Sequence, residues 1–351
     1  MHAALDATPL TLSSGGLRRY TLELSLALAR EFPEDRFTLL SDQVFEKPSG
    51  SPSNLAADYG TPGPVRRRWW TVGATLTMRR IGACVFHGTN FEVPYAGTRP
   101  SVLTLHDLSP WKTEPWGAGS ARVRHRTPWL LRMGVATMVI TPTEAVRGEA
   151  MTFFGLAATR VVSVPLAAAA NFSPCECHPA RPYFLYIGAL EARKNIEAIV
   201  DAWRIARSRC GADLVLVGRP RPDFGMLEAE PGLCVRGEVT DTELRELYCG
   251  ALAFVFPSHY EGFGLPVLEA MQCGTPVIAS KAAALREVAG DAALFFDGTT
   301  DLAEAMAALA TNRELARELS ERSRRRAAQF SWGRTARLTR GVYQEALARF
   351  V

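Results

Sequence analysis

Lysine is nearly missing from this chain. Of 40 basic residues only Lys47, Lys112, Lys194 and Lys281 are lysines, so a lysine inside a motif draws notice. Cysteine is sparse and odd in number: Cys84, Cys175, Cys177, Cys210, Cys234, Cys249 and Cys273. An odd set scattered through apolar patterns argues against a disulfide framework and for a reducing compartment. No apolar run approaches the ~18 residues of a membrane span, and the short run 2–7 has no basic stretch before it, as a signal peptide would. A cytoplasmic protein is therefore expected. There is no Gly-Lys dipeptide and hence no P-loop, and neither H-E-x-x-H nor G-x-S-x-G occurs, which removes zincin and lipase-type hydrolase readings. No two aspartates are spaced D-x-D, a common divalent-metal signature. The net charge of +4 is too small to imply a nucleic-acid partner, and none is expected.

What is present is ordinary globular material, 47% hydrophobic and 22% charged, in a chain of 351 residues, which is long for one core. Short β-branched or aliphatic runs at 3–7, 36–40, 83–87, 101–106, 138–141 and 161–165 read as buried parallel strands. Amphipathic stretches at 17–30, 66–80, 121–134 and 142–154 read as the helices between them. The segment 166–182, with an alanine run, three prolines and a Cys-Glu-Cys-His cluster, reads as a linker. Strands then recur at 183–187, 214–217, 234–236, 253–256, 277–279 and 294–296, with helices at 196–207, 242–249 and 265–273 and more from 301 onward. The expected fold is α/β: two tandem Rossmann-like, doubly wound domains facing a cleft. The boundaries are 1–166 for the first domain, 167–182 for the linker and 183–330 for the second domain. A C-terminal helix, 331–351, crosses back to the first domain.

The most informative stretch is residues 254–280, FVFPSHYEGFGLPVLEAMQCGTPVIAS. A strand stops at Pro257, a polar loop carries Glu261 and Gly264, and a helix opens with Leu265-Pro266. Proline suits a first turn because its missing N–H has no intrahelical partner there, and Gly264 lets a ligand approach closely. Unpaired amides and the positive helix end make an anion site suited to a diphosphate. Glu269, on the first turns of the helix, could accept hydrogen bonds from a ribose diol. A second stretch, 183–195, reads YFLYIGALEARKN. It presents Arg193 and Lys194 just before a helix, where a fork and a point charge suit a diphosphate and would otherwise oppose the dipole. Gly15 and Gly16 open the first helix of the first domain after Ser13-Ser14. His106, with Asp107, sits where a strand ends; its bland alternative is a histidine satisfied by a backbone carbonyl. His87 invites the same alternative. Cys175-x-Cys177-His178 has no second ligand pair, so a zinc site is not expected, nor is any other metal. The basic-aromatic segment 66–80 is a candidate for peripheral contact with the inner membrane or for an amphipathic helix with snorkelling arginines. The run 322–326 reads as a solvated helix face.

With these residues in view, the chain resembles the family 4 retaining glycosyltransferases of GT-B fold over nearly its full length. The resemblance rests on the E-x7-E pair Glu261 and Glu269 within EGFGLPVLEAMQCGTPVIAS, with weaker matches at GGLRRYTLEL, FHGTNF, LTLHDLSP, YIGALEARKN, GEVTDTELRELY and FSWGRT. It implies that Arg193 and Lys194 bind the diphosphate and stabilise it as it leaves. Glu269 would bind the ribose and Glu261 the donor sugar's hydroxyls, beside backbone groups of Phe263, Gly264 and Leu265. Gly15 and Gly16 would meet the diphosphate from the first domain, and His106 the donor sugar near the reaction centre. The anomeric configuration would be retained without metal or other cofactor, by front-face attack in which the leaving phosphate oxygen takes the acceptor's proton. The flavour is that of bacterial mannosyltransferases building surface polysaccharide or lipopolysaccharide. GDP-mannose is the expected donor, a glycan or lipid-linked glycan the acceptor. One departure is Ala167–Ala170, where relatives often carry Asn-Gly-Val/Ile. The alternatives are a nucleotide-sugar 2-epimerase on the same fold and a non-catalytic nucleotide-sugar-binding protein.

Overall fold

The structure, a computed structural model, describes residues 1–59, 68–112, 121–221, 224–225 and 227–350. It divides into two units. One is built from residues 1–112, 121–166 and 331–350, the other from 167–330.

In the first unit seven parallel strands run in the order β3-β2-β1-β4-β5-β6-β7. They are β1 (His2–Asp6), β2 (Arg36–Leu40), β3 (Leu55–Asp58), β4 (Val85–Gly88), β5 (Ser101–Thr104), β6 (Met138–Thr141) and β7 (Val161–Ser163). Strands β4, β5 and β6 are buried at every position, as a sheet covered on both faces requires. The helices are α1 (Gly16–Glu31), α2 (Ala74–Ile81), α3 (Ala121–Arg132) and α4 (Glu144–Phe154), which Thr143 caps by accepting a bond from the Val146 amide at 3.2 Å. In the second unit six parallel strands run β10-β9-β8-β11-β12-β13. They are β8 (Tyr183–Ile187), β9 (Asp213–Val217), β10 (Leu233–Arg236), β11 (Ala253–Phe256), β12 (Val277–Ser280) and β13 (Ala293–Phe296). Its helices are α5 (Ile196–Cys210), α6 (Asp241–Gly250), α7 (Leu265–Cys273), α8 (Ala283–Ala289), α9 (Thr299–Thr311) and α10 (Arg313–Ala327). The last helix, α11 (Trp332–Arg349), belongs to the first unit.

Both sheets are doubly wound, so each has a point where strand order reverses: between β1 and β4 in the first, between β8 and β11 in the second. The loops leaving the carboxyl ends of those strands diverge there and open a crevice.

Some expectations need correction. β3 was not anticipated: LAAD is a short edge strand whose inner Leu55 alone is buried. α8 was missed because AALREVA is seven residues with no side-chain cap. The helix expected at 66–80 is instead a π-turn, Trp69–Gly73, followed by α2, and Arg66 and Arg67 lie outside the described residues. Within the run 322–326, Arg326 is not simply solvated. Its guanidinium donates to the Val288 carbonyl at 2.8 Å and the Glu287 carbonyl at 2.6 Å, satisfying the end of α8.

The core of the first unit holds a buried polar chain. His87 Nδ1 bonds the Tyr343 hydroxyl at 2.7 Å and Nε2 bonds Thr104 Oγ1 at 2.7 Å; Thr104 in turn meets the Tyr20 hydroxyl at 2.9 Å. Tyr343 lies on α11, so this chain locks the last helix onto β4 and β5. Burial, with His106 adding like charge, lowers the His87 pKa from 6.5 to about 3. Asp6, also buried, moves the other way: burial raises its pKa from 3.8 to about 7 against two hydrogen bonds from Thr8. Between pH 6.5 and 3 the unfolded chain binds a proton at His87 that the folded chain refuses, so His87 withdraws stability as pH falls. Between pH 7 and 3.8 the folded chain holds a proton on Asp6 that the unfolded chain has released, so Asp6 adds stability as pH falls. Each slope is about 1.4 kcal/mol per pH unit. In urea titrations, the stability gap between wild type and H87Q is expected to narrow from about pH 6.5 to about pH 5. The gap for D6N is expected to shift with pH in the opposite sense. Gaps independent of pH would contradict the buried neutral forms of both residues.

Candidate active site

The crevice of the second sheet gathers most of the candidate residues. After β8 the chain makes a single 3-10 turn, Ala192–Lys194, and then Asn195 takes a left-handed conformation, φ +54°, before α5. That reversal turns Lys194 inward, leaving it only 8% exposed. The loop after β11 is laced to this turn. Arg193 donates to the Tyr260 carbonyl at 2.9 Å, the His259 amide donates to the Arg193 carbonyl at 3.0 Å, and Asn195 donates to the Pro257 carbonyl at 3.4 Å.

The side chains form an alternating ionic group. Lys194 Nζ pairs with Glu261 Oε1 and also lies 5.2 Å from the centre of the Phe256 ring. Arg193 pairs with Glu191 at 2.8 Å and approaches the other oxygen of Glu261 at 3.8 Å. Burial alone would raise the Glu261 pKa, but Lys194 and then Arg193 outweigh it and hold the carboxyl below its ordinary value. Two cations and two carboxylates balance. An incoming phosphate would thus meet cations already desolvated and fixed in place, where charge acts more strongly than in water.

Four residues beyond Glu261 the helix α7 begins. Gly264, its N-cap, has φ +90°, and a Cβ there would lie 2.5 Å from Leu285 Cδ2. Pro266 occupies the first turn. Among the described residues, the amides of Phe263, Gly264 and Leu265 find no protein acceptor. These amides and the helix dipole present positive potential within the same loop cluster as Arg193 and Lys194. Glu269, on the second turn of α7, is 5% exposed and accepts a hydrogen bond from the Tyr248 hydroxyl at 3.1 Å.

The first unit holds the remaining candidates. Gly15 and Gly16 are exposed at the start of α1, with Gly15 at φ +106°. His106 is half-buried, its Nε2 2.7 Å from the Thr89 carbonyl. That contact makes Nε2 the donor and leaves Nδ1 as an acceptor. Burial lowers the ring's pKa and favours the neutral form, against the Thr89 bond and the Asp107 charge, which raise it. Tyr20 packs edge-on against the ring at 4.9 Å. Asp107 is occupied with its own turn, accepting from the Ser109 amide at 2.9 Å and hydroxyl at 2.7 Å.

Sequence reasoning passed over Glu191 and Tyr248. Glu191 could have been noticed, since E-x-R-K places a carboxylate two residues before Arg193. Tyr248 gave no such signal, being one more apolar position of an amphipathic helix. Cys175 and Cys177 bring their sulfurs to 3.7 Å, but among the described residues no group of three or more His, Cys, Asp or Glu side chains could hold a metal ion.

Comparison with known proteins fits this geometry. Residues 177–326 match the family model described as glycosyl transferases group 1. The chain is 32% identical to the O-antigen chain mannosyltransferase B of Escherichia coli, over 96% of this chain and 97% of that protein. It is 28% identical to the serotype-specific mannosyltransferase WbdA of the same organism, over 68% of this chain but only 32% of that larger protein. Among solved structures, sucrose-phosphate synthase from Thermosynechococcus elongatus superposes with a TM-score of 0.77 at 19% identity, covering 99% of both chains. WaaG, a glycosyltransferase of lipopolysaccharide biosynthesis, gives 0.69 at 14% identity, over 98% of this chain and 99% of that one. The shared fold is GT-B. Among the described residues no helix is long and apolar enough to cross a membrane.

Proposed function

This chain belongs to the glycosyl transferases group 1 family, and from that premise we propose that it moves mannose from GDP-mannose to a glycan or lipid-linked glycan with retention of anomeric configuration and without metal. The mannose is suggested by relatives whose own names are mannosyltransferase, one of them matched end to end. The observation that carries the site assignment is the convergence at the β8/β11 switch point. Buried Lys194, partly buried Arg193 and Glu261, and a helix start whose three amides have no protein acceptor among the described residues share one loop cluster, with buried Glu269 on the second turn of that helix.

In this reading Lys194, Arg193 and the amides at 263–265 hold the diphosphate and take up its charge as the glycosidic bond breaks. That is electrostatic work a divalent ion performs in other transferases. Lys194 exchanges its bond to Glu261 for a phosphate oxygen, and Glu261, so released, accepts from hydroxyls of the donor sugar. Glu269 receives the ribose diol. In the first unit, by itself, neutral His106 keeps Nδ1 as an acceptor suited to a sugar hydroxyl, and Gly15 and Gly16 leave the start of α1 open to close approach. The acceptor hydroxyl attacks on the face the diphosphate leaves, passing its proton to the departing phosphate oxygen, so no protein nucleophile is needed.

The test is a donor panel. GDP-mannose, GDP-fucose, UDP-glucose and UDP-N-acetylglucosamine are incubated with the protein and a mannose-terminated lipid-linked acceptor, with and without EDTA. GDP release from GDP-mannose alone, undiminished by EDTA, with an α-mannoside in the product by NMR, is expected. Sugar isomerised at C2 would favour the epimerase, binding without release a non-catalytic protein, and loss of turnover in EDTA a metal-dependent enzyme.

A further inference from the structure

We infer that Tyr248 is a positioning residue that fixes the carboxylate of Glu269 and thereby makes the enzyme selective for a ribonucleotide donor. The inference rests on the reading of Glu269 as the ribose contact. Glu269 is 5% exposed, and a carboxylate removed from water needs a donor within the protein or it will shed its charge or move. The Tyr248 hydroxyl gives that donor to Oε2 at 3.1 Å. Tyr248 is itself fully buried at the end of α6, a different helix from the one that bears Glu269.

Its ring is held on two sides, edge-on to Phe172 at 5.8 Å and to Phe254 of β11 at 5.4 Å. Its backbone is tied down as well: Thr275 Oγ1 donates to the Tyr248 carbonyl at 2.7 Å. A hydroxyl so immobilised fixes one oxygen of the carboxylate, and with it the plane in which the carboxylate meets a donor's diol. A site built to hydrogen-bond a hydroxyl rejects an analogue lacking it, because its own polar group is then stranded. The selectivity therefore depends on the carboxylate staying where Tyr248 puts it.

The experiment compares two donors on the folded, full-length enzyme: the nucleotide-sugar turned over in the panel above and its 2′,3′-dideoxyribose analogue. Wild type is expected to show a donor KM at least tenfold higher for the dideoxy analogue, with kcat within about twofold. Y248F, which removes one oxygen atom, is expected to raise KM for the ribose donor five- to tenfold and leave KM for the analogue unchanged. E269Q, which keeps the shape of the side chain, should do the same, and Y248F/E269Q should be no worse than E269Q. If Y248F does not fold, the E269Q comparison on the two donors decides. Equal losses on both donors in either variant would overturn the positioning role while leaving the transferase reading intact. A wild type indifferent to the diol would remove the ribose assignment of Glu269 and this proposal with it.

Discussion

Replacing Lys194 with alanine is expected to lower kcat/KM for the donor a hundredfold or more, about 2.7 kcal/mol of transition-state stabilisation. The loss is large because the ammonium is already desolvated and already held; it reaches the phosphate without the reorganisation that a solvated lysine would need. E261A should match it in activity but not in stability. Removing Lys194 leaves Glu261 still facing Arg193, 3.8 Å away. Removing Glu261 leaves Lys194, 10% exposed in its side chain, with an aromatic face and no carboxylate. Breaking a buried pair from one side costs about 3–5 kcal/mol when the remaining charge is stranded, so E261A should melt well below K194A. The pair K194M/E261L, which strands neither charge, should recover most of the stability and none of the turnover. Steady-state kinetics and thermal melts on the four proteins check both halves. Near-normal kcat/KM in K194A would remove the cation from the mechanism, and equal melting of the two single variants would contradict the ionic geometry.

How much of this was legible in the sequence depended on whether a feature is local. β11 and α7 were placed to the residue, because Pro257 ends the strand, Gly264 breaks the chain and Pro266 can only sit in a first turn. β8 was placed to the residue for a related reason, an unbroken apolar run stopped by Gly188. The 55–58 strand escaped because two alanines and an aspartate carry no period-2 signal on a sheet edge. What no local pattern could give is pairing at a distance. Tyr343 and His87 are 256 positions apart, Lys194 and Glu261 are 67, and Tyr248 and Glu269 lie on successive helices. Each contact follows from strand order, which periodicity does not encode. For His106 the sequence offered a sugar contact and, as the alternative, a backbone carbonyl. The Thr89 carbonyl takes one nitrogen and leaves the other, so the two are compatible.

Gly264 offers the second large effect, and a control is built into the fold. A residue with a Cβ in the left-handed helical conformation incurs about 1–2 kcal/mol of backbone strain. A Cβ added at Gly155, φ +67° at the end of α4, would meet nothing within 4 Å, so G155A should show that strain alone, as a modest fall in stability. At Gly264 the same strain is joined by a collision at 2.5 Å with Leu285 Cδ2. Leu285 is fully buried, so its tip has no free volume to move into and the start of α7 must yield instead. The amides at 263–265 would then miss the phosphate, and displacement of about 1 Å at a reacting centre costs on the order of a hundredfold. G264A is therefore expected to lose about a hundredfold in kcat/KM for the donor and to melt lower than G155A. An active G264A would mean that the start of α7 does not hold the diphosphate. The positive potential for the leaving group would then have to come from Arg193 and Lys194 alone.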